Sequence, residues 1–271
     1  MIELEHLIVV FLAGLVTALS TGLGVLPFFL TDEVSDRWIV ALWGLAAGII
    51  LSASVFGLLF EALETGSVGL VAIGLVAGVG LILLADRAIG AHSFEPRSLT
   101  RGDFDTLVLI VGVLTIHSVP EGVAVGVAFA ELGLEAGADG EFVIAGLTLP
   151  ALAVFISIAV SIMNVPEGLA IAIPMRTYGI GRWKTVGWAV ASSLPQPIGA
   201  VLAYIFVVEA EGLLPLGFGF AAGAMIYLAI REMIPEALTR GRELTGNGRV
   251  ELVAGFVVGV VIMTPLLALF G

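Results

Sequence analysis

Continuous apolar runs recur along the whole chain, separated by short breaks that carry its charges, glycines and prolines. The runs are about 20 residues long, the length an α-helix needs to cross the hydrocarbon core of a bilayer. They do not alternate apolar with polar, as the strands of a membrane barrel would. Eight spans are predicted, at about 6–30, 38–61, 67–85, 106–130, 143–175, 184–208, 213–235 and 251–270. The fifth is long and interrupted by Pro150 and Pro166, so it should be bent, tilted or preceded by a loop. The expected architecture is an all-α integral membrane protein, a single polytopic domain over 1–271, with a loop at 86–105 between helices 3 and 4.

The polar positions between the runs are sorted by sign. All 11 Lys and Arg fall at odd-numbered connections or their edges: Arg37, then Arg87, Arg97 and Arg101, then Arg176, Arg182 and Lys184, then Arg231, Arg240, Arg242 and Arg249. The even-numbered connections hold only acids: Glu64, Glu131, Glu135, Asp139, Glu141, Glu209 and Glu211. Basic residues stay on the cytoplasmic side of a membrane. The odd connections, including 86–105, are therefore expected in the cytoplasm and both termini outside, in a plasma membrane.

With that topology, two pairs of similar segments run in opposite directions. IHSVPEGVAVG (116–126) and IMNVPEGLAIA (162–172) share six of eleven residues, and 44–66 matches 219–241 through GxAAG and EALxxG. Nested, oppositely oriented matches predict an inverted-topology repeat in a 3+2+3 arrangement, a design that puts binding sites near the midplane.

Composition agrees with the pattern. The chain of 271 residues is 59% hydrophobic and 13% charged, with mean hydropathy +1.13; a soluble domain carries about 25% charged residues. The net charge of −12 argues against nucleic-acid binding. The absence of cysteine excludes disulfides and thiolate metal sites. The frequent glycines suit close helix packing and make a homodimer a reasonable assembly.

The chemistry concentrates at the two VPEG copies. A carboxylate at the centre of a membrane helix costs roughly 2.5–3.5 kcal/mol on insertion scales, so Glu121 and Glu167 need a partner or a task. Helical spacing groups His117 and Ser118 with Glu121, and Met163 and Asn164 with Glu167. Pro120 and Pro166 each free a carbonyl one turn earlier, adding oxygens at membrane depth. Imidazole with two carboxylates is a first coordination sphere for a divalent ion, whose charge would cancel both carboxylates. The competing reading is a simple kink, with neutral glutamates bonded to backbone. Gln196, between Pro195 and Pro197 in span six, reads equally as a neutral ligand, a gate or a hydrogen-bonded kink. Glu61 and Glu236 hold matching places in the repeat, as mouths of a pathway or as ordinary interfacial residues. Arg231 and Glu232 read as a local ion pair, and His6 and His92 as incidental.

At these residues the chain resembles the ZIP (Zrt/Irt-like) family of divalent metal transporters, particularly its prokaryotic branch. The resemblance rests on the paired PEG motifs in helices 4 and 5 and extends over essentially the whole chain. It implies eight helices, outside termini, a midplane metal site that is often binuclear, and uptake of Zn²⁺ or a related ion into the cytoplasm by alternating access. By position His117, Glu121, Glu167 and Asn164 fit the family pattern. Ser118 replaces the usual Asn, Met163 replaces His or Gln, and Gln196 stands where Glu is common. Those exchanges remove a negative charge and imply one full metal site rather than two. Met163 would favour softer ions such as Cd²⁺ or Fe²⁺ over Mn²⁺, or is packing alone.

The functional expectation is an inward transporter of a divalent cation, zinc foremost. His117, Glu121 and Glu167 bind it directly, with Asn164, Ser118, Met163 and Gln196 as secondary ligands and no resident cofactor. A membrane metal sensor that binds without transporting is the alternative. An enzyme is not expected, because the chain has no HExxH helix and no nucleophile paired with a base.

Overall fold

The computed structural model describes residues 2–90, 104–134, 141–144 and 147–270. Most of the expected loop at 86–105, with Arg97, Arg101 and His92, lies outside them, as do Glu135 and Asp139. The helices are α1 (Leu4–Leu30), α2 (Asp36–Thr65), α3 (Val68–Gly90), α4 (Phe104–Ala128), α5 (Ala151–Thr177), α6 (Arg182–Glu209), α7 (Glu211–Glu243) and α8 (Arg249–Phe270). Among the described residues, seven helical segments, all but α4, have the length and hydropathy to cross a membrane. α4, which carries the first PEG, is itself a continuous helix of 25 residues. The chain is a multi-pass, mainly helical membrane protein.

Residues 143–150 do not belong to the fifth helix. Glu141–Ile144 and Leu147–Pro150 form a two-stranded antiparallel hairpin, and α5 begins at Ala151 with Pro150 as its extended cap residue. The cause is local: a residue before proline is pushed toward extended backbone, and Val, Ile and Thr suit a strand. Pro166 and Pro174, by contrast, are carried inside α5 without ending it.

Four helices depart from regular α geometry. α1 tightens into a 3₁₀ turn at Thr21–Val25, and α6 breaks at Leu194 ahead of Pro195. α2 widens into a π-helical stretch at Ala53–Leu59 and α7 does so at Ala229–Met233. Under the alignment of 44–66 with 219–241, the two π stretches fall on the same repeat positions.

Glycine spacing decides which helices touch. On α2, a Cβ at Gly44 or Gly48 would strike the backbone of Leu252 or Phe256 on α8, and one at Gly255 or Gly259 would strike Ala41 or Leu45 in return. The same four-residue spacing recurs where Gly74 and Gly78 of α3 meet Leu216 and Phe220 of α7, with Gly219 and Gly223 reciprocating on Val71 and Leu75. Without a hydrophobic drive between helices in lipid, such close backbone approach is what holds a pair together.

The ends of the helices sort onto two faces. Asp32, after α1, lies 4.0 Å from Arg176 and 3.3 Å from Arg182 at the α5–α6 connection, and Arg37 at the start of α2 pairs with Glu251 at the start of α8. On the other face His6 reaches Tyr204 near the end of α6, and Gly66 packs on Pro215 at the start of α7. Among the described residues, the first, fifth and seventh connections thus share one face.

A buried carboxylate centre joining five helices

The two PEG turns meet in the middle of the bundle. His117, Ser118, Glu121, Met163, Asn164, Glu167 and Gln196 are all buried, none more than 6% exposed, so the polar groups face protein rather than lipid. Glu121 and Glu167 are the only buried acids among the described residues. They are brought together because the glycine after each glutamate permits contact with a neighbouring backbone. A Cβ at Gly122 would run into the Gln196 carbonyl of α6, and one at Gly168 into the Thr21 carbonyl of α1.

The two carboxyl groups lie side by side, within reach of each other's charge and hydrogen bonds. Glu121 Oε2 accepts a short hydrogen bond from Gln196 Nε2, whereas Glu121 Oε1 has no donor among the described residues. A buried acceptor without a donor is costly, and it offers a lone pair to an incoming cation. Gln196 is held in turn. Its Oε1 accepts from Thr17 Oγ1 at 2.8 Å and from Asn164 Nδ2 at 3.0 Å, and its Nε2 lies 3.3 Å from Asn164 Oδ1. Asn164 Nδ2 also donates to the Thr17 carbonyl at 2.6 Å. Ser118 Oγ donates to the Ser192 carbonyl at 3.1 Å, tying α4 to α6. Three of the residues expected as secondary ligands, Asn164, Gln196 and Ser118, therefore spend polar atoms on this network, and Met163 packs in the core beside it.

His117 lies within charge range of Glu167 and also meets a third carboxylate. Its Nε2 is 3.0 Å from Glu232 Oε1, a close electrostatic contact that is not aligned as a hydrogen bond. The expected local pairing of Glu232 with Arg231 is thereby corrected. Glu232 sits in the π-helical turn at Ala229–Met233, and the extra residue per turn re-aims the side chains of that stretch, carrying Glu232 inward. Its side chain is 33% exposed, whereas Glu121 and Glu167 are buried. The sequence signal that could have found it was the acid itself, inside an apolar run without a spaced partner. Among the described residues no three His, Asp or Glu side chains are already gathered as a ready chelate. His117 contacts Glu232 at 3.0 Å and lies within charge range of Glu167. Of the suggested pathway mouths, Glu236 pairs with Arg240 at 3.2 Å, and Glu61 is partly buried.

A bundle of membrane-length helices packed around two buried carboxylates and a histidine defines a polytopic membrane protein with a polar centre. The family model described as "ZIP Zinc transporter" matches residues 143–267. A "Zinc transporter ZupT" from Corynebacterium efficiens is 30% identical over 289 residues, covering 98% of each chain. A "Zinc transporter ZIPB" from Bordetella bronchiseptica is 32% identical over 273 residues, covering 94% of this chain and 80% of that one. An Arabidopsis thaliana relative is 34% identical over 224 residues, 82% of this chain but 33% of its own greater length. The chain belongs to the ZIP family, a family of transporters rather than enzymes.

Proposed function

We propose that the protein carries a divalent metal ion, zinc foremost, across the plasma membrane into the cytoplasm through the centre between α4 and α5. The observation that carries this reading is the side-by-side burial of Glu121 and Glu167 with His117 one turn before Glu121. A divalent cation neutralises the pair and completes their coordination in a dry interior, where two bare carboxylates would otherwise repel strongly. His117, Glu121 and Glu167 are the direct ligands. Asn164, Gln196 and Ser118 hold those ligands in place through the network described above, and Met163 supplies a soft wall. Glu232 is the next station. By exchanging His117 between the PEG carboxylates and Glu232, the site can pass an ion toward solvent without crossing an apolar gap.

Eight spans in inverted 3+2+3 repeats are part of the same proposal. The mirrored glycine contacts of α2 with α8 and of α7 with α3 support it, as do the matched π stretches. Thr21 and Gln196, which receive Gly168 and Gly122 respectively, are also matching positions when the same alignment is extended to α1 and α6. The clustering of basic connections on one face supports cytoplasmic placement of that face and outside termini. Zinc as the cargo follows the names of the bacterial relatives.

The test is uptake of Zn²⁺, Fe²⁺, Mn²⁺ and Cd²⁺ by proteoliposomes, wild type beside Glu121→Ala/Glu167→Ala. Uptake that disappears in the double variant is expected. Undiminished uptake in that variant overturns the site, and tight binding with no uptake in the wild type favours the sensor.

A further inference from the structure

We propose that the connection between α5 and α6 holds the phosphate of an anionic phospholipid, seated between Arg176 and Arg182 in the headgroup layer on this face of the membrane. The site lies apart from the buried carboxylate centre and stands independently of any ion held there.

Two lipid-facing stripes end at this place. On α6, Ile198, Leu202 and Phe206 are exposed at four-residue spacing, and Trp183, 78% exposed, stands at the start of the same helix. On α1 the exposed stripe runs through Leu23, Leu26 and Leu30. The rings of Phe29 and Trp183 meet edge to face, their centroids 5.0 Å apart, and join the two helix ends. Exposed leucine and tryptophan giving way to arginine mark the level where hydrocarbon meets headgroups. At that level Arg176, Arg182 and Lys184 outnumber Asp32 and Glu33, a locally positive balance in a chain of net charge −12.

Both arginines keep donors in reserve. Arg182 Nη2 donates to Asp32 Oδ1 at 3.3 Å, and Arg176 Nη2 lies 4.0 Å from the same oxygen. Arg176 Nη1 donates to the Ile180 carbonyl at 2.5 Å, which folds the turn back on Arg176 and fixes its guanidinium. The Nε atoms of both arginines are enclosed without a hydrogen-bond partner among the described residues, as is the Tyr178 hydroxyl in the turn between them. In a guanidinium the Nε–H and one Nη2–H point the same way, a fork that grips two lone pairs of one acceptor group. One carboxylate oxygen shared by two arginines engages at most one tine of each fork. A phospholipid phosphate has two free oxygens, each able to accept several bonds, and so serves both forks together.

Asp32 is a weak rival for that place. Its side chain is 84% exposed, and an ion pair so open contributes little. The turn leaves room for a headgroup, since a Cβ at Gly179 or Gly181 would meet nothing within 4 Å. Basic pockets between membrane helices are where anionic headgroups bind. Arg176 lies in the last turn of the helix that carries Glu167, and Arg182 opens the helix that carries Gln196. A headgroup held by both pins two helices of the buried centre at one end.

The experiment is native mass spectrometry of the detergent-purified full-length chain, titrated with phosphatidylglycerol or phosphatidylcholine in the absence of Zn²⁺. Phosphatidylcholine carries the same phosphate with a cation beside it, which the basic cluster repels. One phosphatidylglycerol per chain is expected to bind on the order of tenfold tighter than phosphatidylcholine. Arg176→Gln and Arg182→Gln each lower that affinity about fivefold, the scale of one basic residue beside an anionic headgroup. Arg242→Gln, exposed in the seventh connection and outside the site, leaves it unchanged. Equal affinity for the two lipids, or an equal loss in all three variants, overturns the inference. Should an arginine variant fail to fold, the exposed Asp32→Asn decides. It releases both Nη2 groups and is expected to raise phosphatidylglycerol affinity several-fold; an unchanged or lower affinity overturns the inference. Melting in detergent separates lipid from soluble anion. Phosphatidylglycerol should raise the melting temperature and millimolar inorganic phosphate alone should not. An equal rise with inorganic phosphate makes this a soluble-anion site and overturns the lipid assignment.

Discussion

His117 Nε2 and Glu232 Oε1 stand 3.0 Å apart across the contact between α4 and α7, joining a PEG helix to a helix whose turn at this point is π-helical. The pair links the buried carboxylate centre to the one acid beside it with substantial exposure. Glu232→Gln removes that charge while keeping the shape. Uptake of Zn²⁺ should fall on the order of tenfold, the scale of a lost charge-assisted contact, with a smaller change in equilibrium Zn²⁺ affinity. A parallel loss of affinity and rate in the same assay would make Glu232 part of the binding site itself.

Metal should stabilise the fold through the same centre. An ion that binds only the native state adds about 2.7 kcal/mol at a concentration 100 times its Kd. The melting temperature of the detergent-purified protein should rise by several degrees with saturating Zn²⁺ and return on chelation. Glu121→Ala/Glu167→Ala should melt at one temperature with or without Zn²⁺.

Close helix approach should be intolerant at the two PEG glycines. Gly122→Ala and Gly168→Ala each drive a methyl group into a carbonyl, Gln196 or Thr21, that belongs to a neighbouring helix. Each should cost about 1–3 kcal/mol or more through overpacking, visible as a lower melting temperature and loss of uptake. Gly80→Ala, with nothing within 4 Å of its added carbon, is the control and should behave as wild type.

Orientation can be read directly because the chain has no native cysteine. Single substitutions Ser67→Cys and Gly212→Cys should react with an impermeant maleimide added outside intact cells. Glu33→Cys and Glu243→Cys, at the face where Asp32 meets Arg176 and Arg182, should react only after the cells are opened. The reverse labelling pattern would invert the topology and with it the direction of the proposed pathway.

The sequence carried the helices, the placement of charge and the identity of the central residues, because each of these is a local property. Membrane-length apolar runs are set by hydropathy over about 20 residues. His117, Ser118 and Glu121 share a face through helical spacing alone. Even the hairpin at 141–150 was foreshadowed by Pro150, although an apolar run of Val, Ile and Leu does not by itself distinguish strand from helix.

Tertiary structure decided what those residues touch. That Glu232 faces His117 rather than Arg231 depends on a π turn and on α7 lying against α4. That Asn164 donates to the Thr17 carbonyl depends on a 3₁₀ turn that frees that carbonyl and on a glycine contact that brings α1 to α5. Helical periodicity assigns a side chain to a face. Which neighbour meets that face, and by how much a local change of helical winding rotates it, is settled only when the helices pack.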